Sequence, residues 1–315
     1  MNEMERIAPE ILRDFGVDFE AATRAGGWTN HVWIAGDLVL RISPDQGGDR
    51  IRREAALGMR LPKAARYPEV LATGVREGHE WSVSRRVPGV NLGEAWPGMT
   101  WAERESAMRA LWEIAEEIHS MDPGAIPAAL PRRTWYSDLR PEKARADLAG
   151  LVERGVLKRE TADALSGILV AFFDALGRAE HCLCHGDLTM ENMMWSEGRI
   201  ASVFDFEHAA RLPAQADVYS FLRLVLGPDC EAAPGAFVET VASLPKARLK
   251  SADDARLLLG FAVLISVRHA QIWLEGGEDG PCEGWGPCRS LASLADGHGG
   301  FLGSAVRDCI GRLPK

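Results

Sequence analysis

The sequence predicts an α+β fold in two parts, a smaller strand-rich amino-terminal part and a larger helical carboxy-terminal part. Three observations lead there. Short apolar, β-branched runs crowd the first stretch of chain, up to Pro88-Gly89. Apolar residues at helical spacing dominate after it. A brief strand-like island, from Cys182 to Phe204, interrupts the helices. The chain has 315 residues, enough for two lobes sharing one site.

Taken in order, Trp28 to Ala35 and Leu38 to Ser43 read as strands joined at Gly36-Asp37, a hairpin signal. Asp49 to Leu61 reads as a helix. Val70 to Val75 and Glu80 to Val87 are two more strands about the turn Glu77-Gly78. Pro88-Gly89 breaks the pattern and sets the expected boundary, giving domains 1–88 and 89–315. Thr100 and Glu103 form a capping box ahead of a helix to Ser120, whose apolar positions include Ala107, Leu111, Ala115 and Ile118. Further helices are expected over Pro141 to Glu153, Thr161 to Arg178, Asp217 to Leu226, Ala252 to Leu274 and from Cys288 to Ala295. Cys182 to Cys184, Asn192 to Trp195 and Ile200 to Phe204 make a small sheet with polar residues at the strand ends.

Composition narrows the classes of function. Apolar residues make up 46% and charged residues 26%, an ordinary globular balance. A net charge of -9 argues against nucleic acid and anionic membrane as partners. Met1 to Phe15 carries Glu3, Glu5, Glu10 and Asp14 and lacks an apolar signal core, so a cytoplasmic location is expected. The longest apolar stretch, Leu257 to Val267, reads as a buried helix and not a membrane span. The six cysteines include no CxxC pair, and reduced thiols are expected. Cys182 and Cys184 share one face of a strand, awkwardly placed for a mutual disulfide.

The strongest chemical signal is His185-Gly186-Asp187-Leu188-Thr189-Met190-Glu191-Asn192. A second carboxylate follows in Val203-Phe204-Asp205-Phe206-Glu207. Asp187 leaves a strand end on a tight loop, Asn192 follows after the loop returns, and Asp205 ends the neighbouring strand. Two carboxylates and an amide oxygen are hard donors suited to Mg²⁺. Phosphoryl transfer needs such parts: a metal to neutralise phosphate charge and a carboxylate to orient and deprotonate a hydroxyl.

The segment resembles the catalytic loop of the aminoglycoside phosphotransferase and choline kinase superfamily, with its HGDxxxxN signature followed by a D-[FW]-[DE]-like segment. The resemblance runs from about Ala22 to Ala295 and is specific between His185 and Asp217. It implies a bilobal, protein-kinase-like fold with a five-stranded sheet in the smaller lobe and nucleotide between the lobes. It makes Asp187 the catalytic base, with His185 orienting the loop. Asn192 and Asp205 become the Mg²⁺ ligands, and Asp217 a brace for the loop. Glu207 fits the third position of the second motif, with a metal or substrate role. Arg41 fits the cation that contacts phosphates, and Glu54 its partner, although many members carry lysine at that strand position. Gly27, Thr29 and Asn30 fit a phosphate-covering turn, and Ser84 to Val87, including Arg85 and Val87, the hinge that meets the purine.

The implied activity is transfer of the γ-phosphate of ATP or GTP to a hydroxyl of a small molecule. An antibiotic is favoured, aminoglycoside slightly above nucleoside type. The alternatives are a metabolite kinase of the choline, homoserine or thiamine type and a non-catalytic nucleotide-binding pseudokinase. Only eleven residues separate Asp205 from Asp217, too few for a protein kinase's activation segment. An acidic loop with Glu275, Glu278, Asp279 and Glu283 suits a cationic acceptor, and Trp273 and Trp285 beside it suit stacking on a ring.

Overall fold

A computed structural model describes residues 3–27, 29–122, 124–127, 135–228, 230–275 and 286–307. The chain forms two compact units, each assembled from three segments. The first takes Met1–Gly98, Ser120–Thr134 and Met190–Ala209; the second takes Met99–His119, Trp135–Thr189 and Ala210–Lys315.

The first unit is built on an antiparallel sheet of five strands: β1 (Thr23–Ala25), β2 (His31–Ala35), β3 (Leu38–Gln46), β4 (Val70–Arg76) and β5 (His79–Arg85). Their order is β1-β2-β3-β5-β4, and Ala35 pairs with Leu38 across the Gly36-Asp37 turn. Helix α1 (Glu3–Asp14), which the sequence reading passed over, buries Met4, Ile7, Ile11 and Leu12 against the sheet residues Leu40, Ile42 and Val83. Its apolar residues do fall at helical spacing, but Pro9 lies inside it and argues for a break. Helix α2 (Arg50–Gly58) starts at Asp49, which makes no side-chain cap. That task falls to buried Glu80 of β5, which accepts from the Ile51 amide at 3.1 Å and from Arg52 Nε at 2.8 Å.

A second, three-stranded sheet in the same unit has the order β6-β8-β9, with β6 (Val90–Asn91), β8 (Met193–Ser196) and β9 (Arg199–Val203). Between β6 and β8 in the chain, Asn91 caps the short helix α3 (Leu92–Ala95) by accepting from Gly93 N at 2.9 Å. The boundary expected at Pro88-Gly89 therefore differs from the compact division. β6 finds its strand partner in β8, which keeps the chain in the first unit through Gly98 and brings residues 190–209 into it.

Helices dominate the second unit: α4 (Trp101–His119), α5 (Pro141–Glu153), α6 (Arg159–Leu176), α7 (Gln215–Leu226), α8 (Gly235–Ser243), α9 (Ala252–Glu275), α10 (Gly286–Ala295) and α11 (Gly303–Arg307). The Thr100–Glu103 capping box forms as expected, with Thr100 N donating to Glu103 at 2.8 Å and Glu103 N to Thr100 Oγ1 at 3.3 Å. Helix α9 is long and apolar enough to pass for a membrane span. Its apolar residues, among them Leu258, Phe261 and Val263, are instead buried, and Phe261 packs edge-on to Phe172 of α6 at 5.0 Å. Strand β7 (Cys182–Cys184) pairs with β10 (Ala210–Leu212), so Cys182 faces Leu212 and Cys184 faces Ala210. The expected single island is thus two small sheets. Cys182, Cys184 and Cys230 are free thiols.

Candidate active site

In the second unit, β7 delivers His185-Gly186-Asp187 to a tight loop. Gly186 has φ of +82°, a left-handed conformation that costs a residue with a Cβ and costs glycine little. Asp217, on the first turn of α7 and fully buried, holds that loop from below its backbone. Its carboxylate accepts from His185 N at 2.8 Å and Gly186 N at 2.9 Å, and His119 Nε2 lies 2.9 Å away. Burial opposes charge on this carboxyl, but the bond to His119 and the loop amides outweighs it and holds Asp217 below the usual carboxylate range. His119 moves the other way for the same reason: burial disfavours its cation, and Asp217 raises it above its ordinary value. The buried His185 ring accepts from the Asp187 amide at 3.2 Å, so it fixes the loop's return. Tyr136 donates to Gly186 O at 3.0 Å. Burial, then Asp217 and Asp187, push its phenol well above its ordinary value and keep it a donor. Asp187 itself is half-buried.

In the first unit, the β8–β9 register brings the next two motif residues side by side. Met193 pairs with Val203, and Phe204 N donates to Asn192 O at 3.0 Å, so Asn192 and Asp205 leave adjacent strand ends. Asp205 has φ of +62°, an unusual conformation for a residue other than glycine and a mark of functional sites. Arg41, on β3, is clamped between two carboxylates: Nη1 to Glu54 at 3.0 Å and Nη2 to Asp205 at 3.3 Å. Burial works against its charge, and Glu54 and then Asp205 more than offset this, raising its pKa. Glu54 is buried and its Oε1 also accepts from Tyr67 OH at 3.0 Å and from Phe206 N at 3.3 Å. Tyr67 stacks edge-on against Phe206 at 5.8 Å. Burial and then Glu54 push its phenol far up, so it remains a donor.

The expected residues Arg41, Glu54 and Asp205 are thus brought together, and a further cation, Arg50, lies outside what the sequence reading named. The Arg50 guanidinium pairs with Glu207 and donates to Asn30 Oδ1 at 2.8 Å. Thr29 Oγ1 donates to the same Glu207 carboxylate at 3.2 Å. The glycine-rich turn and the second motif are thus tied together through Arg50. A Cβ on Gly27 would lie 2.6 Å from Asn30 O, so the turn closes too tightly for any other residue. A cation in the first turn of a helix opposes the helix dipole, and that misfit was the available signal for Arg50. Burial, and then Arg41, lower its pKa.

Arg85, expected at the hinge, is exposed at the end of β5 and pairs with Asp37 and Glu69. Val87 is half-buried just beyond it. Among the residues expected at the acceptor, Trp273 is half-buried on α9, while Glu278, Asp279, Glu283 and Trp285 lie outside the described residues. Glu275 borders a cavity of about 260 Å³ between α5 and α9, together with Lys143, Asp147, Arg154, Arg268 and Gln271. Its described lining therefore carries cations as well as acids.

Comparison with known proteins places these features in a family. The Phosphotransferase enzyme family profile matches residues 20–249. An aminoglycoside 3'-phosphotransferase of Streptomyces fradiae is 29% identical over 156 residues, 48% of this chain and 55% of that protein, so the match spans about half the length of the relative. Among solved structures, the GDP complex of wild-type aminoglycoside 2'-phosphotransferase-IIIa superposes with a TM-score of 0.66 at 18% identity, over 94% of this chain and 98% of that one. Macrolide 2'-phosphotransferase MphH from Brachybacterium faecium gives 0.58 at 18% identity, over 92% and 98%. At such identities these likenesses are of fold, and the fold is the kinase-like α+β one.

Proposed function

Because this chain belongs to the phosphotransferase enzyme family, we propose that it is a cytoplasmic, Mg²⁺-dependent kinase. On this reading it moves the γ-phosphate of ATP or GTP to a hydroxyl of an antibiotic, an aminoglycoside in the first instance. The observation that carries the reading is Arg41 held between Glu54 and Asp205. The Arg41–Glu54 pair supports the cation–glutamate pair that protein kinases need in place, with the carboxylate of the second motif beside it.

Each residue's part follows from its chemistry. Arg41 grips phosphate oxygens with a planar, permanently charged fork, pre-aimed by Glu54. Gly27, Thr29 and Asn30 form a turn whose backbone can approach phosphate closely. Asp187 orients the acceptor hydroxyl and takes its proton as the oxygen attacks phosphorus. Asn192 and Asp205 fit Mg²⁺: both offer oxygen, and Asp205 Oδ2 has no partner among the described residues. When bound, Mg²⁺ neutralises charge on the phosphate oxygens. The Streptomyces fradiae relative supports an aminoglycoside as acceptor, and the Brachybacterium faecium neighbour widens the class to macrolides.

The test is a transfer assay with ATP and with GTP against a panel of aminoglycosides, macrolides, nucleoside antibiotics and hydroxylated metabolites, with products read by mass spectrometry and ³¹P NMR. Phosphorylation of an antibiotic hydroxyl is the expected result. Transfer to choline, homoserine or thiamine alone, or nucleotide binding with neither transfer nor hydrolysis, would overturn it.

A further inference from the structure

Buried beside the catalytic loop of the second unit is a group of side chains that phosphoryl transfer does not use. A ring nitrogen of His119 and the sulfurs of Cys182 and Cys184 lie within 4.8 Å of one another. The His119 side chain and Cys184 are fully buried, and Cys182 is half-buried. Strand geometry explains the two sulfurs: alternate residues of β7 point to one face. Helix α4 ends at His119, its last residue, against that face.

We propose that His119, Cys182 and Cys184 form a binding site for a soft cation of the Zn²⁺ class, with the Leu212 carbonyl as fourth donor. Distances favour it. The two sulfurs are 3.8 Å apart, and Leu212 O lies 3.6 Å from each. A tetrahedral Zn²⁺ with ordinary bond lengths has sulfur–sulfur edges of about 3.8 Å and sulfur–oxygen edges of about 3.6 Å. Three of the six edges are therefore already in place, and the imidazole nitrogen, within 4.8 Å of both sulfurs, needs to close by about 1.2 Å or less to complete the two nitrogen–sulfur edges.

Polar bookkeeping around the imidazole points the same way. Nε2 is engaged by Asp217 at 2.9 Å, whereas buried Nδ1 has no hydrogen-bond partner. An orphaned buried nitrogen is costly unless something fills its lone pair. A metal on one ring nitrogen with a carboxylate on the other is the usual setting of a histidine ligand. Thiolate and imidazole select zinc-like ions over Mg²⁺, so this site and the oxygen donors Asn192 and Asp205 sort the two metals by softness. Binding displaces the two thiol protons to solvent. Asp217 also holds the amides of His185 and Gly186, so an occupied site stiffens the support of the catalytic loop.

The experiment uses the full chain, reduced and stripped of metal, with Zn²⁺ and Co²⁺ as probes. Competition against a chromophoric chelator is expected to give one tight Zn²⁺ per chain. Cys182→Ser and Cys184→Ser should each weaken it at least about tenfold, as loss of a thiolate ligand requires, and Cys230→Ser should leave it unchanged. Co²⁺ should produce thiolate-to-metal charge-transfer absorption with the intense visible bands of a tetrahedral site. The thermal midpoint should rise with Zn²⁺ in the wild type and not in the Cys182→Ser/Cys184→Ser double variant. Equal Zn²⁺ affinity in wild type and double variant overturns the proposal. Should the variants fail to fold, a wild-type Co²⁺ complex without thiolate absorption overturns it alone.

Discussion

Replacing Asp217 by asparagine tests how the loop carrying Asp187 is held. Three N–H groups converge on the two buried oxygens of Asp217: His185 N and His119 Nε2 on Oδ2, and Gly186 N on Oδ1. An asparagine has one oxygen. Its better orientation keeps that oxygen at the Oδ2 position and turns the NH₂ toward Gly186 N, donor against donor. One hydrogen bond to a charged acceptor is then lost, at about 1.5–3 kcal/mol, and a buried amide is orphaned at about 1–3 kcal/mol. The two surviving bonds lose their charge assistance. The sum is about 2.5–6 kcal/mol, a range that brackets the cost of breaking a buried ion pair. A folded protein has about 5–15 kcal/mol in hand, so the variant should fold with a loosened loop. The assay is native-state hydrogen exchange. At about 1.4 kcal/mol per tenfold, exchange at His185 and Gly186 should quicken by at least about fiftyfold, with α9 amides far less affected. Transfer should fall in kcat, because Asp187 loses its aim. Unchanged protection at both amides in a folded Asp217→Asn protein would refute the bracing argument.

Four further outcomes are expected. Asp187→Ala should lower kcat by at least about 10²–10⁴ while nucleotide affinity stays within a few-fold, checked by steady-state kinetics and nucleotide titration. Asp205→Asn, which tolerates the left-handed backbone, should weaken Mg²⁺ binding more than Asn192→Ala in calorimetric titration, because it removes a charge as well as an oxygen. Arg50→Ala leaves Glu207 buried without its cation, at about 3–5 kcal/mol, and adding Glu207→Gln should restore part of the lost thermal midpoint; a double variant as unstable as the single would deny the pairing. Thr100, through its hydroxyl and amide, holds the Glu103 carboxyl below its usual range. The cap's contribution is therefore present above the ordinary carboxylate pKa and is lost as pH falls through Glu103's lowered value. The thermal midpoint of wild type should exceed that of Glu103→Gln at neutral pH and converge with it in acid.

Much of this was legible in the sequence because the signals are local. Asp187, Asn192 and Asp205 sit in short motifs whose residue types state their chemistry, and the helices and the first sheet follow from apolar period and turn residues. Helix α1 was passed over because Pro9 and four acids spread along it, Glu3, Glu5, Glu10 and Asp14, mask an amphipathic stripe that only the sheet beneath makes meaningful. β6 and β10 are two and three residues long, below the length at which a period can be read. Their existence depends on β8 and β7, far along the chain.

The site residues divide along the same line. Glu54 was found because it follows Arg41 at the spacing of a strand and its next helix, whereas Tyr67 and Phe206 reach Glu54 only through the fold. Glu80 looked like an ordinary strand residue, yet it caps α2, the helix that carries Glu54. Arg50 looked like one of several arginines beside Arg52 and Arg53, and it gains meaning only when Glu207, well over a hundred residues later, is brought to it. His119 and Cys182 read as a helix end and a strand start, and their chemistry arises where α4 meets β7. A motif can state what a residue does to a substrate. What orients that residue is written in contacts between elements that share no window of sequence, so the supporting shell has to be read from the packing.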